Sequence, residues 1–470
     1  MAQVTVQRRI VLDTTWSPRL TGASGPKYLR LLRGLRQAVD SGDLPPGRRL
    51  PPVRELAHIL EVTPGTVARA YRIAVEEGLL EARVGRGTFV AGGDTGQSQE
   101  VPLYQETPDG TLDGRSVTVP DVGQGAELSA ILAEAAHSDL TAYPGQESDQ
   151  GYCAAMLDWL GADHIGRAGP SEAAAVFGAQ NGTLVVLQRL LAGPHPVILT
   201  ETLCYPGVRR AASLLRAGLR GVAMDGEGLI PEALDEACRL TGAQVLLTSA
   251  EVHSPTTIRT GAARKAALVE VARRHRLQII EDDCHRIAAA QAPSYRALYP
   301  ERGWYVTSMA KTVGSGLRLG MAVAPEGEGG SLRRTAAANF YGAPVPLVQA
   351  GERIVTSGLA ERSRRGVEAA TAHRVGLVRS VLGRWDIASR DDAPFVWLTL
   401  PPGWRASRFT QVCASHGIHI KPADEFALVD GQAPHAVRVT VNARVPDSHF
   451  TAALEKMDAL LADPPQDMEG

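Results

Sequence analysis

The sequence predicts a two-domain chain: a small domain of three helices and a hairpin, then a larger α/β domain with a mainly parallel sheet. Three observations support this. Segments with helical periodicity are followed by two short apolar runs that end before residue 91. Residues 92–114 are rich in Gly, Asp, Gln, Thr and Pro and show no periodicity. From about residue 117, apolar strands alternate with Ala- and Arg-rich helical patterns. Such alternation is typical of a parallel sheet covered on both faces.

The bulk composition indicates a globular chain of two or three domains, since it has 470 residues, 44% of them hydrophobic and 21% charged. No run of about 18 apolar residues occurs, and the first ten residues lack the apolar core of a signal peptide. We therefore expect neither a membrane span nor secretion, and a cytoplasmic location. The five cysteines are widely spaced, so reduced thiols are expected rather than disulfides or a metal site.

Charge is distributed unevenly along the chain. Between Pro26 and Val90, eleven Lys and Arg face seven Asp and Glu, which gives +4 and leaves −6 for the rest of a chain whose net charge is −2. This asymmetry suggests a basic module, suited to nucleic acid, joined to a mildly acidic one. A difference of four charges is also compatible with an ordinary solvated surface.

The N-terminal elements follow from periodicity and from helix signals. Apolar residues at three- and four-residue steps predict an amphipathic helix over 27–41, and a second helix reads from Val53 through Leu60. Thr63 is a suitable N-cap, with Pro64 at the first position of a third helix. Runs over 79–84 and 88–90 predict a hairpin, so the order is that of a winged helix.

The third helix would be the recognition helix, with its N-terminal residues facing base edges in the major groove. The candidates for base contact are Thr63, Gly65, Thr66 and Arg69. The candidates for phosphate contact are Arg54, at the start of the preceding helix, and Arg83 and Arg86 in the wing. The alternative is a small scaffold whose arginines only solvate it.

Three motifs in this region resemble the GntR-type winged helix. They are GRRLPPVRELA over 47–57, VTPGTV over 62–67, and EGLL over 77–80 followed by GRGTFV over 85–90. The resemblance spans about 65 residues. Two residues depart from the family pattern: Pro52 stands where Ser or Ala is usual, and Pro64 where an Arg that contacts DNA is frequent.

In the larger domain, Lys311 is the strongest candidate for bonding an aldehyde. The chain has five lysines, and Lys311 lies in TSMAKTVGSGLRLG over 307–320, directly after an apolar strand. The loop offers an amine for the aldehyde, and Arg318 offers a cation for a phosphate. An exposed lysine beside a Gly-rich turn is the alternative reading.

Two further segments strengthen this interpretation. A strand ends in Glu281-Asp282-Asp283, where a buried carboxylate could hold a pyridine nitrogen protonated, and FGAQNGT over 177–183 opens an apolar helix whose free N–H groups favour phosphate. The order of these segments resembles the fold-type I, aspartate-aminotransferase-like enzymes that use pyridoxal phosphate. Placed after a GntR-type domain, it resembles the MocR subfamily of regulators.

The resemblance implies a role for individual residues. Lys311 would form the Schiff base with pyridoxal phosphate, Asp282 would pair with its pyridine nitrogen, and Tyr205 would stack on its ring. Arg438, in the strand-like VRVTV over 437–441, would bind the carboxylate of an effector or substrate. The residues that would hold the phosphate are Ala179, Gln180, Ser308 and Arg318, with Tyr143 reaching the phosphate of the other subunit of a homodimer.

Two departures from the family pattern make catalysis doubtful. Ser254 replaces the Asn that contacts the phenolic oxygen of the cofactor, and Cys284 replaces a Tyr with the same partner. Losing both groups should change the protonation of the cofactor imine. The neighbouring His285 and His253 are expected to be packed residues.

These inferences give the following domain prediction: an N-terminal arm over 1–25, the winged helix over 26–92, a linker over 93–116 and the cofactor-binding domain over 117–470. Its large part is expected at about 165–345, and its small part at 117–164 and 346–470.

The leading functional hypothesis is a DNA-binding transcriptional regulator that senses an amine or amino acid by Schiff-base exchange at Lys311. One alternative is an active aminotransferase that carries a DNA-binding domain, and another is a degenerate domain that binds DNA and no cofactor.

Overall fold

The computed structural model divides the chain into two compact units, residues 1–102 and 103–470. It describes residues 27–40, 43–45, 47–76, 79–83, 87–90, 111–138, 140–145, 147–428, 433–441 and 444–464. Among these residues, no helix combines the length and the hydropathy needed to cross a membrane.

The first unit has three helices followed by an antiparallel hairpin, as predicted. Its elements are α1 (Lys27–Asp40), α2 (Val53–Ile59), α3 (Pro64–Glu76), β1 (Leu80–Arg83) and β2 (Gly87–Val90). The predicted cap is present, because the Thr63 hydroxyl accepts the Thr66 amide at 3.3 Å. The apolar positions of all three helices meet in one buried cluster, which leaves the polar faces to solvent.

The second unit is an α/β domain. Its strands are β3 (Leu112–Asp113), β4 (Ala173–Val176), β5 (Val197–Glu201), β6 (Gly218–Val222), β7 (Met224–Asp225), β8 (Gly228–Leu229), β9 (Val245–Thr248), β10 (Gln278–Asp282), β11 (Gly303–Ser308), β12 (Gly320–Val323), β13 (Ile387–Ala388), β14 (Phe395–Thr399), β15 (Ile418–His419), β16 (Lys421–Pro422) and β17 (Ala436–Thr440). Its helices are α4 (Gly125–Ala135), α5 (Gln150–Leu160), α6 (Ala162–Ile165), α7 (Gly178–Leu190), α8 (Pro206–Leu214), α9 (Pro231–Thr241), α10 (Ala262–His275), α11 (Tyr295–Leu298), α12 (Gly329–Phe340), α13 (Val345–Thr356), α14 (Leu359–Leu382), α15 (Ala406–Ser415) and α16 (Asp447–Ala462).

The central sheet has seven strands in the order β4-β12-β11-β10-β9-β5-β6. It is mainly parallel, as predicted, because only β12 runs antiparallel to its neighbours β4 and β11. Every residue of β4, β9, β11 and β12 is buried, which explains why these strands read as continuous apolar runs. Helices therefore cover both faces of the sheet.

A smaller four-stranded sheet, β13-β14-β17-β16, forms a second layer with α15, α16 and the C-terminal half of α14. These elements share one hydrophobic cluster. Arg438 lies on β17 of this sheet, whereas Lys311 follows β11 of the central sheet. The two candidate ligand-binding cations are thus carried by different sheets.

The structure differs from the predicted boundaries in two places. Residues 111–116, predicted as linker, include β3, which pairs with β15 and buries Leu112 completely. A two-residue strand is too short to show periodicity. In addition, α4 and α5, predicted in the small part, pack in one cluster with β4, β11 and β12. Amphipathic patterns reveal an apolar face but not which sheet covers it.

A buried ion-pair network fixes the strand that ends at Asp282. Lys265 on α10 is fully buried, and its ammonium donates to Glu251 and Glu281 at 3.1 Å each and to the Pro293 carbonyl at 3.2 Å. Burial opposes its charge, but the two carboxylates outweigh burial and hold the pKa of Lys265 above its usual value. The network joins α10 to β10, one residue before Asp282.

Replacing Lys265 with Met should destabilise the chain by about 3–5 kcal/mol, because two buried carboxylates would lose their cation. Chemical denaturation followed by tryptophan fluorescence measures this. Lys456→Met is the matched control, since Lys456 is exposed on α16, and it should change stability by less than about 0.5 kcal/mol. Equal effects of the two substitutions would contradict a structural role for the network.

Candidate functional site

A cavity of about 500 Å³ lies where strands of the central sheet end. Asp282 ends β10, Ser308 ends β11, and Tyr205 follows β5, so the carboxyl ends of three strands supply its wall. Helix α7 and the smaller sheet complete it. The predicted residues that line the cavity are Lys311, Asp282, Tyr205, Ala179, Gln180, Ser308, Arg318 and Arg438.

Lys311 presents its amine inside this cavity. A short 3-10 turn after β11 carries it, and its Nζ donates to the backbone carbonyl of Val117 at 2.7 Å. Burial lowers the pKa of Lys311, and the positive charges of Arg438 and Arg318 lower it further. A larger fraction of the amine is therefore neutral at physiological pH than for an exposed lysine.

The adjacent carboxylates Asp282 and Asp283 have different environments. Burial raises the pKa of Asp282 to about 6, although its carboxylate accepts the Cys284 amide at 3.1 Å. Burial also tends to raise the pKa of Asp283, but its neighbours Arg286 and His164 outweigh burial and lower that pKa. Its Oδ2 accepts from Arg286 at 2.5 Å and from the Tyr305 hydroxyl. Asp283 is thus fixed in the protein interior, and Asp282 is the carboxylate that lines the cavity.

Tyr205 and Gln180 are packed closely against Gly207. A Cβ on Gly207 would lie 2.3 Å from the Tyr205 ring and 2.1 Å from the Gln180 side-chain oxygen. Burial raises the pKa of Tyr205 to about 12, so its phenol stays neutral. The absence of a side chain on Gly207 therefore leaves the space that the Tyr205 ring and the Gln180 side chain occupy.

The N-terminus of α7 forms a cradle for an anion. Gly178 begins the helix with φ +77°, and the Arg318 side chain donates to the Phe177 carbonyl at 3.3 Å. A Cβ on Gly178 would lie 3.0 Å from the Arg318 guanidinium, so the glycine leaves space for the Arg318 side chain at the start of the helix. The first amides of α7, with Ala179 and Gln180, have no partner within the helix and favour an anion there.

Arg438 is a buried cation whose contacts are to neutral groups. It is 4% exposed, and its Nη atoms donate to the Ser254 hydroxyl at 2.9 Å and to the Arg115 carbonyl at 2.6 Å. The rings of Phe395 and Phe426 lie 5.0 and 4.9 Å from its guanidinium carbon, and its Nε is buried without a hydrogen-bond partner. In the part of the chain that the structure describes, no carboxylate pairs with it, and burial lowers the pKa of Arg438 to about 10.

The departures from the family pattern have distinct surroundings. Ser254 lies in an adjoining small pocket with Tyr205 and Asp282, and its hydroxyl is occupied by Arg438. Burial raises the pKa of the Cys284 thiol well above its usual value. Burial, with the nearby cations of Lys311 and Arg438, lowers the pKa of His285. The thiol and the imidazole are both neutral groups of the cavity wall.

Sequence reasoning missed the residues that close the cavity from the smaller sheet and the start of the second unit. Lys421 pairs with Glu425 at 2.7 Å and lies opposite Arg438 in the pairing of β16 with β17. The other missed residues of the wall include Arg115, Ser116, Val117, Thr118 and Phe426. Lys421 could have been considered as one of only five lysines, but no motif marked the rest.

Tyr143 lies outside the cavity of its own chain. Its side chain is 83% exposed, and its ring lies 5.6 Å from that of Tyr341, which is also exposed. The role predicted for Tyr143, contact with the phosphate of a second subunit, stays a prediction.

The predicted DNA-contacting residues of the first unit are mostly on the surface. Arg54, Thr63, Gly65 and Arg69 are exposed, and Thr66 is half-buried. The Arg69 guanidinium lies 4.2 Å from the centre of the Tyr28 ring. Arg83 belongs to β1, but its side chain and the whole of Arg86 lie outside the described residues.

The residues of the cavity fit pyridoxal phosphate group by group. They provide an amine for an aldehyde, a buried carboxylate for a pyridine nitrogen, an aromatic ring for stacking, and a helix N-terminus with an arginine for a phosphate. The volume of about 500 Å³ is in the usual range for a small-molecule site, and both Lys311 and Arg438 line it.

Comparison with known proteins identifies both units. Residues 27–90 match the model of the gntR family of bacterial regulatory proteins, and residues 110–457 match that of aminotransferase class I and II. The uncharacterized HTH-type transcriptional regulator YdeF of Bacillus subtilis is 26% identical, over 91% of this chain and 92% of its own. The probable rhizopine catabolism regulatory protein MocR of Rhizobium meliloti is 25% identical, over 79% and 81%.

The solved structures share the fold of the second unit. Kynurenine aminotransferase of Pyrococcus horikoshii, in a complex that contains PMP, superposes with a TM-score of 0.68 at 16% identity. The match covers 79% of this chain and 98% of that enzyme. The match to aminotransferase class I and II supports pyridoxal phosphate as the cofactor.

Replacing Gly207 with Ala should weaken cofactor binding about tenfold or more, because the new methyl group would displace the Tyr205 ring and Gln180. Titration of the purified chain with pyridoxal phosphate, followed by absorbance, measures the effect. Gly226→Ala is the control, since a Cβ there meets nothing within 4 Å. Unchanged affinity in Gly207→Ala would contradict this position for the ring.

Proposed function

Because the chain belongs to the aminotransferase class I and II family and carries a GntR-type domain in the MocR arrangement, we propose that it is a transcriptional regulator that senses an amino acid. The winged helix binds double-stranded DNA. Pyridoxal phosphate on Lys311 detects an effector that has both an amine and an acid group. The chain acts in the cytoplasm as a homodimer, to which Tyr143 contributes.

The observation that carries this proposal is the environment of Arg438. A guanidinium that is 4% exposed, with neutral hydrogen-bond partners, lines the same cavity as the Lys311 amine. Leaving a buried charge without a counter-ion costs several kcal/mol, so the site is suited to an anion that arrives with the ligand. The planar fork of arginine binds a carboxylate through two parallel hydrogen bonds.

Each of the cavity residues has a separate role in ligand recognition. When bound, pyridoxal phosphate supplies an aldehyde carbon that exchanges amines and a ring that withdraws electrons. Lys311 holds its nitrogen in the cavity with a lowered pKa, which favours the neutral, nucleophilic amine. Asp282 would pair with the pyridine nitrogen, Tyr205 would stack on the ring, and Arg318 with the first turn of α7 would hold the phosphate. Arg438 orients the acid group of the effector.

DNA binding by the first unit is supported by its charge and its exposed residues. The segment from Pro26 to Val90 carries +4, and Arg54 and Arg69 are exposed on the second and third helices. Phosphate contacts of this kind supply affinity and position the recognition helix. In a homodimer, two recognition helices would meet half-sites about 34–36 Å apart, or multiples of that distance.

An active aminotransferase is the second candidate, because Lys311, Asp282, Tyr205 and Arg438 line one cavity. Ser254 and Cys284 weigh against efficient turnover, since the Ser254 hydroxyl is bound to Arg438 and the Cys284 thiol is buried and neutral. Turnover of an amino donor and a keto acid at enzyme-like rates, unaffected by removal of residues 1–92, would favour this candidate.

Replacing Arg438 with Gln should weaken the binding of amino acids about tenfold or more, because a charge-assisted pair with their carboxylate is lost. Amines of the same carbon skeleton without the acid group should bind as before. The absorbance of the cofactor-loaded chain, titrated with both members of each pair, gives the affinities. Arg408→Gln, on the exposed surface of α15, is the control. An equal loss for acid and amine would remove Arg438 from the effector site.

Replacing Arg54 with Ala should weaken DNA binding and reduce the slope of log affinity against log salt by about one, because one phosphate contact is lost. Fluorescence anisotropy with a duplex selected by the chain from a random library measures both. Arg33→Ala removes the same charge from an exposed position on α1 and should leave the slope unchanged. An unaltered slope in Arg54→Ala would remove this residue from the phosphate contacts.

A further inference from the structure

Residues 111–118 are the first described residues of the second unit, and four of them line the candidate cofactor cavity. Arg115, Ser116, Val117 and Thr118 lie in its wall. We call residues 111–118 the 111–118 segment. The chain that precedes residue 111 leads to the winged helix, whose last strand ends at Val90. The wall of the cavity is therefore continuous, through the covalent chain, with the connection to the DNA-binding domain.

The 111–118 segment is hydrogen-bonded to both basic side chains that the proposed function uses, Lys311 and Arg438. The Val117 carbonyl accepts the Lys311 amine at 2.7 Å, and the Arg115 carbonyl accepts Arg438 at 2.6 Å. Between them, the Ser116 carbonyl accepts the Thr440 hydroxyl at 3.3 Å. Three successive carbonyls thus bind side chains from both sheets.

The start of the segment is held by the smaller sheet and the strand next to it. The Leu112 amide donates to the Gly417 carbonyl at 2.8 Å, and the Gly114 amide donates to the His419 carbonyl at 2.7 Å. The Thr440 amide donates to the Gly114 carbonyl at 3.0 Å. These amides lie one to three residues from the cavity contacts, so a shift of the segment would change their protection.

Ligand binding would remove the cavity contacts for chemical reasons. With pyridoxal phosphate bound, the Lys311 amine would form a C=N bond to its aldehyde carbon with loss of water. The Lys311 nitrogen would then keep at most one hydrogen, so its hydrogen bond to the Val117 carbonyl would be weakened or lost. An acid group on Arg438 would compete with the Arg115 carbonyl, because a carboxylate brings a negative charge and can accept two parallel hydrogen bonds from the guanidinium.

We propose that the 111–118 segment is the element that passes the ligand state of the cavity to the DNA-binding domain. Its position depends on whether Lys311 and Arg438 are bound to its carbonyls or to ligand, and it is the first described part of the second unit after the winged helix in chain order. This proposal rests on the proposed function and adds the route of regulation. A ligand-dependent shift of this kind gives the two states that a coupling between sites requires.

Hydrogen–deuterium exchange of the full chain tests the first step without an identified effector. We expect the Leu112 and Gly114 amides to exchange at least about threefold faster once pyridoxal phosphate is bound, because the Val117 contact is lost. Lys311→Met should show the faster exchange without cofactor, and Lys456→Met should behave as wild type. Absorbance of the same samples reports whether the cofactor is bound.

Equal exchange with and without bound cofactor, in wild type, would overturn the proposal while leaving the proposed function intact. Failure of pyridoxal phosphate to bind at all would instead contradict the proposed function. Arg438→Gln provides a second probe, since release of the Arg115 carbonyl should also raise exchange at Gly114, and Arg408→Gln should not.

The second step is tested through DNA affinity. A Cβ on Gly114 would lie 3.1 Å from the His419 carbonyl and 3.2 Å from the Ile420 side chain, so Gly114→Val should displace the segment without altering a residue of the cavity wall. We expect the difference in DNA affinity between cofactor-free and cofactor-loaded chain to fall at least about threefold in this variant. Gly226→Val is the control. An undiminished difference, or wild-type affinity that ignores the cofactor while exchange responds, would overturn the proposal.

Discussion

The candidate site depends on keeping two cations, Lys311 and Arg438, largely buried in one cavity. Burial disfavours both charges, and the pKa of each is lowered for that reason. The protein compensates with neutral groups: two backbone carbonyls, the Ser254 hydroxyl and two aromatic rings. A cofactor that bonds to the Lys311 amine would remove one buried charge. An acid that pairs with the Arg438 guanidinium would neutralise the other. The cavity is therefore organised for ligands that the chain itself does not supply.

The fold explains why these groups come together. The carboxyl ends of β10 and β11 carry Asp282 and the loop of Lys311. The ion pair between Lys265 on α10 and Glu281 holds β10 next to Asp282. The smaller sheet brings Arg438 into the wall of the same cavity. Residues 111–118 lie between the two, with carbonyls bonded to both cations. Binding chemistry at the cavity and the covalent path to the winged helix thus share one short piece of backbone.

Much of this could be predicted from sequence, because strong local signals carry it. Helix periodicity and the Thr63 cap gave the winged helix, and apolar strands followed by polar loops located Asp282 and Lys311. Residues 111–118 were missed because a two-residue strand and a set of carbonyl contacts leave no side-chain pattern. The position of Ser254 next to the cofactor site stays a prediction, and the contact of its hydroxyl with Arg438, 184 residues away in sequence, could not be predicted. Such long-range pairings follow from tertiary structure alone.

The most direct test of the account is the site of covalent attachment. The full chain is loaded with pyridoxal phosphate, reduced with borohydride, digested and analysed by mass spectrometry. The account predicts that the phosphopyridoxyl group is found on Lys311. Lys311 and Lys421 both line the cavity with lowered pKa values, but Lys421 is paired with Glu425 at 2.7 Å, whereas among the described residues Lys311 donates only to the neutral Val117 carbonyl. Label on Lys421 or another lysine, or no stable label, would contradict it.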